Sequence, residues 1–237
     1  VLQLLRASGE GEAFAYLDSL PATASSEGGA PAPIPEFRKV ADQLYWKRQA
    51  LTEFVILYQE HVRRLETALK AAPNEEARGK WNLALGGCCY NLASFTWPGW
   101  NDPGIVVRPM ELGVGRQAAA RCLEIRKNEL KRADSFGYTL AMAHWVVGAH
   151  HMAIGDFEPA RQQFVLERQC DQETGSDDSL ARGYLALASL LERPYGRAAQ
   201  SGFQEIVDAL EAGDDEDAGF YREQLLTARR VFQKRDG

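Results

Sequence analysis

Cysteine is scarce in this chain, and none of it is paired as CxxC. Its 237 residues hold four cysteines, Cys88, Cys89, Cys122 and Cys170, and neighbouring cysteines rarely bridge each other, so neither a disulfide framework nor a zinc knuckle follows. That usage favours a reducing, cytoplasmic setting. No HExxH, GxxxxGK[ST], GxSxG or dinucleotide glycine pattern occurs, which leaves no motif for an enzyme and implies no cofactor. A strong basic excess is missing too. The formal net charge is −6, and the one basic run, Arg121 to Asp134, is interleaved with Glu124 and Glu129 as the wet face of a helix would be, so no nucleic-acid surface is expected. Uninterrupted apolar runs are also absent. The stretches Trp81 to Asn101 and Ser135 to Gly155 lack Asp, Glu, Lys and Arg over about 21 residues, the reach of a membrane span. They carry "WPGW" and three histidines instead, which are costly in hydrocarbon, so no membrane span is expected.

What is present is helical periodicity. With 45% hydrophobic and 25% charged residues the composition is that of an ordinary globular protein. Residues 1 to 20 have an amphipathic helical pattern, and "PATASSEGGAPAPIP" after them reads as a mobile linker, so 1–35 forms one region and 36–237 the main domain. From Glu36 to Ala72 there is neither Pro nor Gly, and the apolar residues recur at helical steps. The spacing predicts one long helix of about 55 Å, whose centre "FVILY" needs covering on more than one face. Pro73 ends it. A helix over 75–95 follows, then "TWPGWNDPGIVVRPMELGVG", an insertion over 96–115 whose prolines and glycines predict irregular chain. Further helices are expected at 116–133, 138–154, 157–169, 179–191, 195–211 and 217–234, and no segment reads as a strand. The fold class is all-α.

One stretch carries a finer signal. In "HWVVGAHHMAIGDFEPARQQF", Gly148, His151, Gly155, Asp156, Phe157, Ala160 and Phe164 fall where the tetratricopeptide repeat places its small residue, first aromatic, turn, alanine and second aromatic. Weaker copies run through Leu185, Ala186, Tyr195, Ala198 and Phe203, and through Leu85, Gly86, Cys89, Ala118 and Cys122. "LETALKAAPN" is similar to the close of a repeat. Over about Leu65 to Glu211 the chain therefore resembles a tetratricopeptide-repeat-like protein. That resemblance implies antiparallel helix-turn-helix hairpins stacked as a short solenoid, with the long N-terminal helix packed on it and residues 217–234 as a capping helix. It also implies a protein or peptide partner bound in a concave groove.

Groove positions here include Tyr90, Met142, Trp145, Ala149, Met152, Leu187 and Leu190, which are nearly free of charge. A groove so apolar needs a cover. The helix over 36–72 is the favoured one, ahead of a partner helix and a symmetric homodimer.

The histidines are read as packing residues, since His150 and His151 diverge by about 100° on a helix while a zinc pair normally uses i and i+4. In the repeat register His151 takes an aromatic packing position and His144 faces the second helix. No metal site is expected. Candidate binding residues are Trp97, Trp100, Asn101 and Asp102 of the insertion, with Tyr90, Trp145 and His150 beside them. The aromatics are either lids on the core or walls of a pocket, in which Asn101 and Asp102 would orient a ligand. The functional expectation is a non-catalytic protein–protein interaction scaffold. Its alternative is a sensor of a small molecule or peptide, holding its ligand between the helical repeats and the 96–115 loop.

Overall fold

A computed structural model describes residues 35–130, 137–213 and 216–233. The expected N-terminal helix and most of its linker lie outside the described residues. Every regular element among the described residues is helical. In chain order these are α1 (Pro35–Asp42), a π-helical turn (Gln43–Lys47), α2 (Leu51–Lys70), α3 (Glu75–Phe95), a 3-10 turn (Pro98–Trp100), α4 (Pro109–Leu130), α5 (Gly137–Ala153), α6 (Phe157–Thr174), α7 (Ser179–Glu192), α8 (Arg197–Ala212) and α9 (Glu216–Gln233).

The single long helix expected over 36–72 is instead a helical hairpin. Its first arm widens into the π turn, and the chain then reverses at Gln49, a non-glycine residue with φ of 54°. A left-handed conformation costs such a residue on the order of 1 to 3 kcal/mol, and nothing in the local sequence demands it. The compensation is tertiary. Gln49 Nε2 donates to the Pro103 carbonyl at 3.0 Å, and the Tyr45 hydroxyl donates to Asp102 Oδ2 at 2.7 Å. Gly104, at φ +79°, lies so close under Gln49 that a Cβ there would overlap the carboxamide. The two arms then zip up, with Phe37 against Tyr58 and His61 at one end and Tyr45 against Phe54 at the other. Of the apolar centre, Phe54, Val55, Leu57 and Tyr58 are buried and Ile56 is exposed.

The irregular stretch is also shorter than expected, because α4 begins at Pro109 and absorbs Gly113 and Gly115. Proline suits the first position of a helix. Two residues on, Glu111 accepts from the Arg108 backbone N–H at 3.1 Å and from the Thr52 hydroxyl at 2.8 Å, which caps the helix start and ties it to α2. Ile105 to Val107 form no strand.

Each helix packs mainly on its sequence neighbours, α5 on α6 and α3 on α4 most extensively, while α3 also meets α5 and α7 meets α9. The α5–α6 pair turns at Gly155, in the left-handed region at φ 82°. At Gly148 a Cβ would sit 2.6 Å from the Phe164 ring, so only hydrogen fits between the two helices. Gly148→Val is expected to cost about 2 kcal/mol through overpacking, read as a lower melting temperature. By contrast, Gly202→Ala on α8, where a Cβ meets nothing within 4 Å, should be neutral or mildly stabilising.

The cover of the inner face is not the 36–72 segment. Trp145, Ala149, Met152, Leu187 and Leu190 are buried, and Trp97 lies on Trp145 and Ala149 while α9 packs on α7. Trp97 meets Trp145, Tyr184 and Phe232, while Leu225 sits against Gly183 and α9 packs on the 3-10 turn. Helix α2 packs beside α3 and α4. The reason is reach: the turn after α3 swings an indole directly into the interior, where α2, held at the edge of the array, has no access.

Candidate functional site

The site grows from one problem of backbone chemistry, the unsatisfied carbonyls at the end of α3. Thr96, fully buried, donates its hydroxyl to Leu92 O at 2.7 Å and to Ala93 O at 3.1 Å. His150 Nε2 reaches Ala93 O at 2.9 Å, and Trp100 Nε1 reaches Ser94 O at 2.8 Å. In return Trp97 Nε1 donates to Ala149 O of α5 at 3.0 Å. Two aromatic donors thus cross between the C-terminal ends of α3 and α5. "TWPGW" serves as a cap as well as a loop. Gly99 is required inside it, since a Cβ there would stand 2.1 Å from the Trp97 ring.

Around this cap the rings assemble. Trp97 lies 5.2 Å from Trp100 and 5.5 Å from Trp145, Trp100 lies 5.7 Å from Trp145, and Tyr90 approaches Trp145 at 6.5 Å. Four of the seven candidate residues therefore meet. Trp97 and Trp145 are each 1% exposed, while Trp100 and Tyr90 keep an edge in solvent. Asn101 and Asp102 turn elsewhere. Asn101, exposed and left-handed at φ 54°, closes the 3-10 turn, and Asp102 accepts the Tyr45 hydroxyl on the α1 side. His150 lies on the far side of Ala93, buried to 1% exposure.

Beneath the rings is a polar centre that sequence reasoning missed. The Tyr184 hydroxyl, fully buried on α7, accepts Gln224 Nε2 from α9 at 2.8 Å. Trp145 Nε1 comes near the same oxygen without a hydrogen bond of good geometry, and Glu167 on α6 is close enough to raise the hydroxyl further whenever it is ionised. Trp145 Nε1, Glu167 Oε2 and Gln224 Oε1 are all buried without a hydrogen-bond partner. Burial raises the Tyr184 hydroxyl and the Glu167 carboxyl well above their usual ranges. The signal was available in the spacing. Ala160, Phe164, Glu167 and Asp171 follow steps of four, three and four, so both acids share the buried face of α6.

The other histidines divide. His144, buried, places Nδ1 2.8 Å from Gln163 Oε1 of α6, on the second helix as the repeat register implies. His151 departs from its packing position: it is partly exposed, with Nδ1 3.5 Å from Asp156 Oδ2. His150 is the buried member of the pair because α5 turns it toward α3. The four cysteines are free thiols, and burial pushes Cys89 up to about 12 and Cys122 up to about 11, so both hold their protons at neutral pH. Among the described residues no three His, Cys, Asp or Glu side chains gather as metal ligands, and no helix is long and apolar enough to cross a membrane.

In comparisons with family models, curated proteins and solved structures, nothing matches the chain. The fold and site define a class: an all-α protein of sequentially packed helices whose interior is closed by its own tryptophans.

Proposed function

We propose that this protein is a non-catalytic scaffold of the tetratricopeptide-repeat type, four helical hairpins and a closing helix, that recognises another protein through its outer surface. The observation that carries the reading is a set of large apolar side chains left in water at one corner. Trp46 is 53% exposed, Met110 56% and Val106 70%. The π turn and the 101–110 segment that bear them are held side by side by the Tyr45–Asp102, Gln49–Pro103 and Thr52–Glu111 hydrogen bonds. Such residues are costly to leave wet, and a rigid mounting gives them the character of anchors in an interface. The interior, in contrast, is occupied by Trp97 and α9, which leaves little for a peptide to enter.

The test is affinity capture with the whole chain, against Trp46→Lys and Met110→Lys singly and together. A protein that is enriched by the natural chain and lost with the double variant, at unchanged circular dichroism, supports the reading. Capture that ignores both substitutions overturns it. Sedimentation of the same samples distinguishes a homodimer, which would dissociate in the variants.

The sensor reading has one observation in its favour. A cavity of about 490 Å³ opens between α4 and α5 beside the former insertion, with the buried His150 on its wall.

A further inference from the structure

Helices α3 and α4 run antiparallel in one register, which three contacts fix. Asn82 Nδ2 donates to Glu129 Oε1 at 2.9 Å, a Cβ on Gly86 would stand 3.3 Å from Ile125 Cγ2, and a Cβ on Gly115 would stand 1.9 Å from Thr96 Oγ1. Each step forward along α3 is matched by an equal step back along α4. Cys89 comes three residues after Gly86 and Cys122 three before Ile125, while Thr96 and Gly115 lie seven further on in each direction. Those spacings keep both cysteines on the seam, so they face each other. Each is 1% exposed, and Cys122 is near enough to be felt by the Cys89 thiol.

A cation stands beside the pair. Arg126, one turn beyond Cys122 on α4, is 8% exposed, and its Cζ lies 3.2 Å from where a Gly86 Cβ would be. Burial raises the Cys122 thiol, and the Arg126 guanidinium pulls the other way through its charge and a nearby N–H. The same charge reaches Cys89. Among the described residues no carboxylate lies within ion-pair distance of Arg126, and the buried Glu129, on the next turn, accepts from Asn82. A buried guanidinium calls for negative charge close by. The groups beside this one are thiols, which supply it only when they give up their protons.

A soft monovalent metal ion meets both needs. Thiolates select Cu(I), an ion that accepts two sulfur ligands, and two thiolates around it make a singly negative unit that one arginine neutralises. We propose that Cys89 and Cys122 form a two-coordinate site for Cu(I), with Arg126 as its counter-charge. On binding, two S–H bonds break and two Cu–S bonds form, the copper stays Cu(I), and both protons pass to solvent. Zinc is the wrong ion, because its structural sites use four ligands and among the described residues no third His, Cys, Asp or Glu joins the pair. A route in exists. A cavity of about 300 Å³ among α2, α3 and α4 has the exposed Gln59, Arg63 and Gln117 at its mouth and the buried Cys89 and Leu92 among its lining residues. The site shares no residue with the exposed corner assigned to protein recognition, and neither proposal depends on the other.

Titration of the full chain under argon tests it, with Cu(I) supplied as its acetonitrile complex against the chromogenic competitor bicinchoninate. One ion should bind per chain, and X-ray absorption should show two sulfur neighbours. Arg126→Met removes the charge and should weaken binding by roughly 10- to 100-fold, the usual effect of losing a group that supports metal ligands, with Arg126→Lys recovering part of the loss. Cys89→Ala and Cys122→Ala should each cost more than that, whereas Cys88→Ala and Cys170→Ala should leave the affinity unchanged. If the first two variants fold poorly by circular dichroism, the doubly substituted C88A/C170A chain decides, since it keeps only the facing pair and should bind one ion as the natural chain does. Failure of the natural or the doubly substituted chain to take Cu(I) from bicinchoninate overturns the proposal. Binding that survives the loss of Cys89 or Cys122, or a third sulfur neighbour, overturns it equally.

Discussion

Trp97→Ala should destabilise the protein by about 4 kcal/mol, in the middle of the range for truncating a buried aromatic residue. The indole is 1% exposed and meets Trp100, Trp145, Tyr184 and Phe232 at centroid distances of 5.2 to 6.1 Å. Those partners come from the 3-10 turn, α5, α7 and α9, so the void left by alanine would be shared among four elements and could not collapse onto one. The Nε1 bond to Ala149 O would be lost as well. Trp100 makes a useful contrast. It keeps an edge in solvent, and its bond to Ser94 O is local to its own turn, so Trp100→Ala should cost about half as much. Equilibrium denaturation with urea reads both. Equal losses, or a Trp97→Ala protein as stable as the natural one, would mean that the interior is not organised around this indole.

Acidification from pH 7 to pH 4 should expose two opposing sets of buried groups. His61, stacked on Phe37 with ring centroids 4.1 Å apart, and His150 are both lowered from 6.5 to about 4 by burial. The unfolded chain takes up these protons first. Their contribution is therefore intact above pH 6.5 and is lost as pH falls toward 4, by about 3 kcal/mol for each histidine.

Asp171 acts in the other direction. Burial, then the charges of Asp178 and Asp177, raise it from 3.8 to about 6. Here the folded state holds its proton longer than the unfolded chain, so stability falls as pH rises from 3.8 through 6, again by about 3 kcal/mol. Glu167, raised in the same sense by burial and by Asp171, adds to this strain at neutral pH.

Urea titrations at several pH values separate the two sets. Asp171→Asn should stabilise the protein at pH 7 and steepen its loss in acid, whereas His61→Phe should flatten that loss. His61 is the cleaner probe of the pair, because replacing His150 also removes a cap from α3. A pH profile that neither variant changes would show that these side chains reach water when folded.

Much of the molecule was legible in the chain. The helix over 75–95 was readable from Asn74, Glu75 and Glu76, and the structure supplies the mechanism: the Asn74 side chain accepts the Ala77 N–H while the acids sit in the first turn. Gly155 marked the α5–α6 turn because a left-handed residue there all but requires glycine. The tryptophans of the insertion were legible as a group with Tyr90 and Trp145, since aromatics placed between apolar helices have few places to go.

The failures share a cause. Gln43 to Ala50 contains no breaker, and its local preference is helical throughout. It bends because Asp102, Pro103 and Gly104, more than fifty residues away, offer Tyr45 and Gln49 better partners than a continued helix would. Pro109 to Gly115 contains several apparent breakers, yet it is helical because Glu111 and Thr52 cap its start. The candidate site divides in the same way. Asp102 was expected beside a ligand and is committed to Tyr45, while Tyr184 and Gln224 gave no local sign of their surroundings.

The sequence by itself determined the helical class, the main breaks, the glycine contact between α5 and α6, and the want of charge along the inner face. These follow from periodicity, turn chemistry and side-chain volume, which act over a few residues. Only the tertiary structure decided that the first long helix folds back on itself, that Trp97 and α9 close the interior, and that His150 caps the end of α3. Each of those depends on hydrogen bonds and packing between residues far apart in the chain, and such contacts leave no trace in local pattern.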